Sequence, residues 1–156
     1  LDFLFKIENN TNFWEFSSTQ VPFSKYILKK YLENAHQDIY EAKQLRMVIE
    51  EISNNKTVGL IDLFDFNPKH KRAGIGIVIS EPYQKEGFAS DALSLLIRYC
   101  FEALDLHLLF ANITQDNKKS ITLFTCNGFK KCGVKKDWLF INGEYKNELI
   151  FQLIHE

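Results

Sequence analysis

Residues 84–90 read Gln-Lys-Glu-Gly-Phe-Ala-Ser. They follow the apolar run Ile75-Gly76-Ile77-Val78-Ile79 and precede a segment of helical periodicity. The chemistry such a turn offers is anion binding. The first amides of a helix have no partner within it, and the aligned peptide dipoles place partial positive charge at that end. Glycine at position 87 permits bends that other residues resist and lets a phosphate come close. Gln84, Lys85, Glu86, Gly87, Phe88, Ala89 and Ser90 are therefore candidates to hold a pyrophosphate, chiefly through main-chain amides. Taken alone, the same residues also suit a tight turn eased by Gly87. No G-K-[ST] follows, so this is not a P-loop. A dinucleotide fingerprint would need further glycines.

Other chemistries find little support. Cys100, Cys126 and Cys132 are odd in number and form no C-x-x-C pair, which points to reduced thiols in a cytoplasmic protein. His36, His70, His107 and His155 are scattered without zinc spacing to any cysteine, so no metal is expected. A net charge of −1 gives no basic field and excludes a nucleic-acid partner. No apolar run approaches the roughly 20 residues that span a bilayer, so no membrane is expected. No signal peptide is visible, and the chain starts at Leu1 rather than Met.

The positioning elements can be read from pattern. The 156 residues are 46% hydrophobic and 25% charged, which suits one domain over residues 1–156. The 14 Phe residues predict an aromatic-rich core. Leu1, Leu4, Phe5 and Glu8 fall at helical spacing over residues 1–9. Ser24 is a candidate N-cap for a helix to about residue 37. Residues 45–52 and 57–66 alternate around Asn54-Asn55-Lys56 and predict a hairpin. Residues 74–80 form a nearly continuous apolar strand, buried on both faces. Over residues 89–104, Ala92, Leu93, Leu96, Ile97, Cys100, Phe101 and Leu104 make one apolar helix face. A strand at 107–114 and a short helix at 117–126 follow, the helix stopped by Gly128. Residues 134–141 and 144–154 flank Asn142-Gly143, a strong hairpin signal. The order predicts an α+β domain with a strand–helix–strand unit at its centre.

With these elements in place the chain resembles the GNAT superfamily of N-acetyltransferases over nearly its whole length. The matching pieces are the 45–66 hairpin, the strand at Ile75, the Gln84 to Ala89 loop, the helix after it, and Asn117-Lys118-Lys119-Ser120 through Gly128-Phe129. The closing Phe140-Ile141-Asn142-Gly143-Glu144-Tyr145 is similar to the end of bacterial spermidine N-acetyltransferases. The acetyltransferases of ribosomal-protein N-termini are the neighbouring group. The resemblance implies a mixed, mostly antiparallel sheet flanked by helices, whose first strand would precede Leu1. It also implies a C-terminal β-hairpin and a homodimer paired through the closing strands.

The activity implied is acetyl transfer from acetyl-CoA, as co-substrate, to a primary amine: a small-molecule polyamine or diamine, or a protein N-terminus. The coenzyme would lie between the strands at 75–80 and 107–114. Ile77, Val78 and Ile79 would bond its pantetheine arm, and Gln84 to Ser90 its pyrophosphate. Asn117 and Ser120 would flank the arm from the other side. Asn117 is also a good N-cap for the helix that holds Ser120. Amides near Val78 would stabilise the oxyanion. The family commonly protonates the leaving thiolate with a Tyr, whose position here holds Phe124. Phe has no proton to give, which leaves water, Thr125 or Cys126, or a module that binds the coenzyme with little turnover.

An alkylamine has a pKa near that of Lys, roughly 10.4, so freeing its lone pair at pH 7 costs about 4–5 kcal/mol. The resemblance offers Asp62 and Asp65 as acids near the substrate. They are three apart on a strand and face opposite sides unless a bulge intervenes. A carboxylate attracts an ammonium but also opposes its deprotonation, so proton removal through water is expected. Trp14 and Glu15, in Phe13-Trp14-Glu15-Phe16, would wall the amine pocket. The spermidine enzymes follow a similar basic run to Lys69-His70-Lys71-Arg72 with a Glu where this chain has Gly74.

Overall fold

The computed structural model describes residues 1–10, 22–34 and 37–156. The elements in chain order are helices α1 (Asp2–Glu8), α2 (Lys25–Glu33) and α3 (Ile39–Ala42), then strands β1 (Leu45–Glu51), β2 (Lys56–Asn67) and β3 (Arg72–Ile79). A single 3-10 turn at Glu81–Tyr83 leads into helix α4 (Phe88–Glu102). Strand β4 (Leu108–Thr114), helix α5 (Lys118–Cys126) and strands β5 (Lys130–Ile141) and β6 (Glu144–Ile154) complete the fold. The strands form one six-stranded sheet in the order β1-β2-β3-β4-β6-β5. Among the described strands only the β3–β4 pair is parallel. This is the α+β, mostly antiparallel arrangement expected, with β3–α4–β4 at its centre.

Local chemistry sets most boundaries. The Ser24 side chain accepts from the Ile27 amide at 3.2 Å and starts α2. Asn142 and Gly143, at φ 52° and 80°, turn β5 into β6. Helix α2 ends at Glu33, short of residue 37. Strand β5 begins at Lys130, four residues before the expected 134. That polar stretch lies on the sheet edge, where main-chain pairing needs no apolar alternation. The short helix α3, capped by Asp38, was not anticipated, because four residues show no periodicity.

The sheet is covered on both faces. Leu93, Leu96 and Cys100 of α4 and Phe124 of α5 pack with Ile61, Leu63, Ile75 and Leu109 in the larger core. Leu4, Ile7 and Leu28 of α1 and α2 pack against Leu60 and half-buried Val78 on the other face. Strand β3 thus sends Ile75 and Ile79 to one core and Val78 to the other. Its apolar continuity comes from that double burial.

Candidate active site

Strands β3 and β4 are paired only where Arg72, Ala73 and Gly74 meet Leu108, Leu109 and Phe110. Beyond Gly74 they part, and a cleft of about 1510 Å³ runs across the split. Its lining includes Ile75 to Ile79, Asn112, the start of α4 and the start of α5. A second cavity of about 80 Å³ lies between residues 75–77 of β3 and 111–114 of β4, against Asn117, Ser120 and Phe124.

The strand register tells which amides face the split. The Ser80 amide donates to the Val58 carbonyl at 2.8 Å, and Val78 and Gly76 lie opposite Leu60 and Asp62. Antiparallel alternation then commits the Val78 and Gly76 main chain to β2, and turns that of Ile75, Ile77 and Ile79 away from it. The Gln84 side chain, which donates to the Ile79 carbonyl at 3.0 Å, agrees. Near Val78, where oxyanion amides were expected, the outward amides are therefore those of Ile77 and Ile79, while the Val78 amide is turned to β2 and the residue lines the cleft.

The anion end is built by backbone shape. Lys85 and Gly87 both take left-handed φ, 66° and 86°. Among the described residues no side chain caps the N-terminus of α4, which leaves its first amides to a ligand. Gln84, Lys85, Gly87, Phe88, Ala89 and Ser90 line the cleft, whereas Glu86 is exposed outside it. Lys118 and Lys119 add positive charge from α5. The Lys119 ammonium donates to Gln84 Oε1 at 3.2 Å, so Gln84 ties the loop to both β3 and α5.

At the other end Asp62 is not a free base. Arg46, directly across the β1–β2 ladder, donates from Nε and one terminal nitrogen to the two Asp62 oxygens, each at 2.7 Å. Its other terminal nitrogen donates to Glu8 of α1 at 2.6 Å. The Tyr31 ring of α2 lies 5.6 Å from the guanidinium carbon. All four residues line the cleft. Burial works against the Arg46 charge, but the bonds to Asp62 and the charges of Asp62 and Glu8 outweigh it and raise its pKa. Burial likewise pushes the Tyr31 phenol up, against the pull of Arg46.

Asp65 sits elsewhere. A bulge between Phe64 and Asn67 leaves it at φ 47°, exposed and outside the cleft lining. Phe64 and Phe110 form an edge-to-face pair, centroids 5.6 Å apart, over Gly74. A Cβ at position 74 would fall 2.4 Å from the Phe64 ring. The aromatic pair thus leaves no room for a side chain at position 74. Trp14 and Glu15 lie outside the described residues.

Helix α5 supplies the remaining positions. Asn117 accepts from the Ser120 amide at 3.2 Å and lines both cavities, as Ser120 does. Phe124 is buried edge-to-face on Phe129 and walls the smaller cavity. Thr125 and Cys126 are exposed and line neither.

An anion cradle joined through splayed strands to a carboxylate-bearing pocket is what an acyl-CoA enzyme acting on amines requires. Comparison with known proteins agrees. The acetyltransferase (GNAT) domain family matches residues 1–130. The chain belongs to the GNAT acetyltransferase family. The spermidine N(1)-acetyltransferase of Escherichia coli K12 is 30% identical over 155 residues, covering 97% of this chain and 81% of that protein. The [ribosomal protein uS5]-alanine N-acetyltransferase of Escherichia coli K12 is 33% identical over 79 residues, 51% of this chain and 41% of that protein. The spermidine N-acetyltransferase of Vibrio cholerae, solved in complex with CoA and spermine, superposes with a TM-score of 0.87 at 26% identity. It covers 98% of this chain and 88% of that one.

GNAT enzymes use acetyl-CoA, and the residues present fit it. The open α4 amides at Gly87 and the three lysines suit a diphosphate, and the outward amides of Ile77 and Ile79 suit an amide-bearing arm. Sequence reasoning missed Arg46, Glu8, Tyr31, Lys118 and Lys119. Only Arg46 left a signal: its place opposite Asp62 follows from the hairpin register once the Val58 bulge is known.

Proposed function

We propose that this chain transfers the acetyl group of acetyl-CoA to a primary amine of an aliphatic polyamine or diamine. The observation that carries this reading is the parting of β3 and β4 between an uncapped helix end and an acidic pocket. When bound, acetyl-CoA would supply an activated thioester carbonyl. The α4 amides with Lys85, Lys118 and Lys119 hold the diphosphate, and Ile77 and Ile79 orient the arm. Asn117, which lines the cleft, would contact that arm.

Asp62 and Glu8 attract a cationic amine, and Arg46 holds both carboxylates in place. Since Arg46 occupies both Asp62 oxygens, the ammonium proton leaves through water. The 30% identity to a spermidine enzyme over 97% of the chain supports a polyamine over a protein N-terminus. In this reading the reaction runs in the cytoplasm. The chain forms a homodimer through β5 and β6, whose Trp138, Phe140 and Tyr145 stand exposed.

The test is free-thiol release from acetyl-CoA with spermidine, spermine, putrescine and an Ala-starting peptide. Turnover on the aliphatic amines with none on the peptide is expected. Turnover on the peptide alone would transfer the reading to protein N-termini. CoA binding with no thiol release on any amine would leave a coenzyme-binding module.

A further inference from the structure

The amine half of the cleft has two flanks, and Asp62 with Glu8 occupies only one. Asp62 stands on β2, in a cross-strand row with Arg46 of β1 and Gly76 of β3. The register carries that face of the sheet past the seam. Gly74, two residues before Gly76, lies opposite Phe64 on β2 and Phe110 on β4, and both rings pack over it. Side chains alternate along a strand. Phe110, Asn112 and Thr114 of β4 therefore share the face of Asp62, while Leu109, Ala111 and Ile113 enter the larger core. Thr114 is paired in turn with Glu148 of β6, and Glu148 with Lys135 of β5. Glu148 thus stands on the same face as Asp62, on the far flank of the split, and lines the same cleft.

The two carboxylates differ in how firmly they are held. Arg46 closes on both Asp62 oxygens, each at 2.7 Å. The Lys135 ammonium stands 3.5 Å from one Glu148 oxygen, and it also lies 4.8 Å from the centre of the Trp138 ring. That is longer than the roughly 2.7–2.9 Å of a close ammonium–carboxylate bond. A carboxylate accepts at both oxygens, so Glu148 keeps more capacity for a second cation than Asp62 does. Its side chain is only 13% exposed, which limits screening by solvent. Asp62 and Glu148 are three strand spacings apart in the sheet, about 14 Å or more at roughly 4.8 Å each. The reacting carbonyl would sit between them, over the split. A monoamine at that carbonyl leaves one flank unused, whereas an amine with a second ammonium some methylenes away can engage both.

We propose that Glu148 binds the distal ammonium of the substrate and so selects amines with a second positive charge over monoamines. The inference rests on the acetyl-transfer reading and names the residue that sets the substrate class within it. The preference comes from attraction between opposite charges in a cleft that is poor in water. Lys135 moderates it by competing for the same carboxylate. Glu148 touches no reacting atom; it determines specificity and leaves the chemical step to the split between β3 and β4.

The test sets putrescine and spermidine against butylamine, which has the carbon chain of putrescine without its second nitrogen. Wild type is expected to favour putrescine over butylamine in kcat/KM. Glu148→Gln keeps the size and polarity of the side chain and removes its charge. It should raise KM for putrescine and spermidine by about threefold or more, as for a lost bond to a charged group, and keep that for butylamine within about twofold. The kcat on all three amines should stay near that of wild type. Lys135→Gln, which removes the competing ammonium, should lower KM for putrescine and spermidine, and it carries the test if Glu148→Gln fails to fold. An equal rise in KM for all three amines would make Glu148 a structural residue and overturn the proposal, as would an unchanged KM in both variants. Either result would leave acetyl transfer standing. CoA binding without turnover on any of the three amines would overturn the acetyl-transfer reading itself and this proposal with it.

Discussion

Single side chains already carry measurable consequences. Arg46 holds two carboxylates that are each less than a third exposed. Replacing it with Met leaves Asp62 and Glu8 together without their shared cation. Removing one partner of a half-buried ionic cluster costs about 1–3 kcal/mol. At about 2–4 °C per kcal/mol for a chain of this size, Arg46→Met should lower Tm by several degrees in a thermal melt. Cys100 behaves differently, because burial alone raises its thiol pKa from 9.0 to about 12. The native state keeps that proton where the unfolded chain releases it. Its contribution to stability is therefore complete below about pH 9 and drains away as the pH rises towards 12. Alkylation of the native protein should modify exposed Cys126 and Cys132 and spare Cys100, which mass spectrometry would show. Reaction of all three thiols at equal rates would contradict the packing of α4 on the sheet.

Among the elements, the loop before α4 is defined by its backbone. Gly87 has φ 86°, and a Cβ there would meet nothing within 4 Å. Gly87→Ala therefore tests the left-handed conformation without steric interference. It should cost about 1–2 kcal/mol and weaken CoA in calorimetry as the amides lose their aim. This loop was legible because its chemistry is local: a glycine, a helix start and a strand end adjoin in sequence. The same holds for the Ser24 cap and the Asn142-Gly143 turn. What could not be read were features set by distant partners. The outward amides of Ile77 and Ile79 follow from the β2–β3 register, which the sequence alone does not give. The retreat of Asp65 depends on a bulge that no alternation rule announces. The tie between Asp62 and Arg46 joins residues sixteen apart, placed opposite one another by a second bulge, at Val58.

For the molecule as a whole, the unequal cores decide which parts hold the frame. Most buried side chains gather between the sheet and α4, whereas α1 and α2 rest on Leu4, Ile7, Leu28 and Leu60. Aromatic rings close the corners where the elements meet, as Phe124 on Phe129 and Phe64 on Phe110 show. The composition predicted an aromatic-rich core, but among the described residues only Phe66, Phe124, Phe129 and Phe151 are buried in a core that is otherwise mostly aliphatic, and the position of each ring depends on its neighbours. Gly74 is the clearest case, since two phenylalanines from separate strands converge on it. CoA present at about 100 times its Kd should stabilise the fold by about 2.7 kcal/mol through mass action. Differential scanning fluorimetry would register this as a rise in Tm.

The short seam between β3 and β4 gives that last effect a structural meaning. Past Gly74 the sheet has two flanks that no strand among the described residues bridges, and an extended coenzyme arm has the shape and polarity to bridge them. Under the proposed reading the co-substrate would serve as a seventh ribbon, held for one turnover and handed back when the thiol departs. Such an enzyme would survive longest when its coenzyme is plentiful, and its lifetime under heat or protease would report the supply of the molecule it consumes.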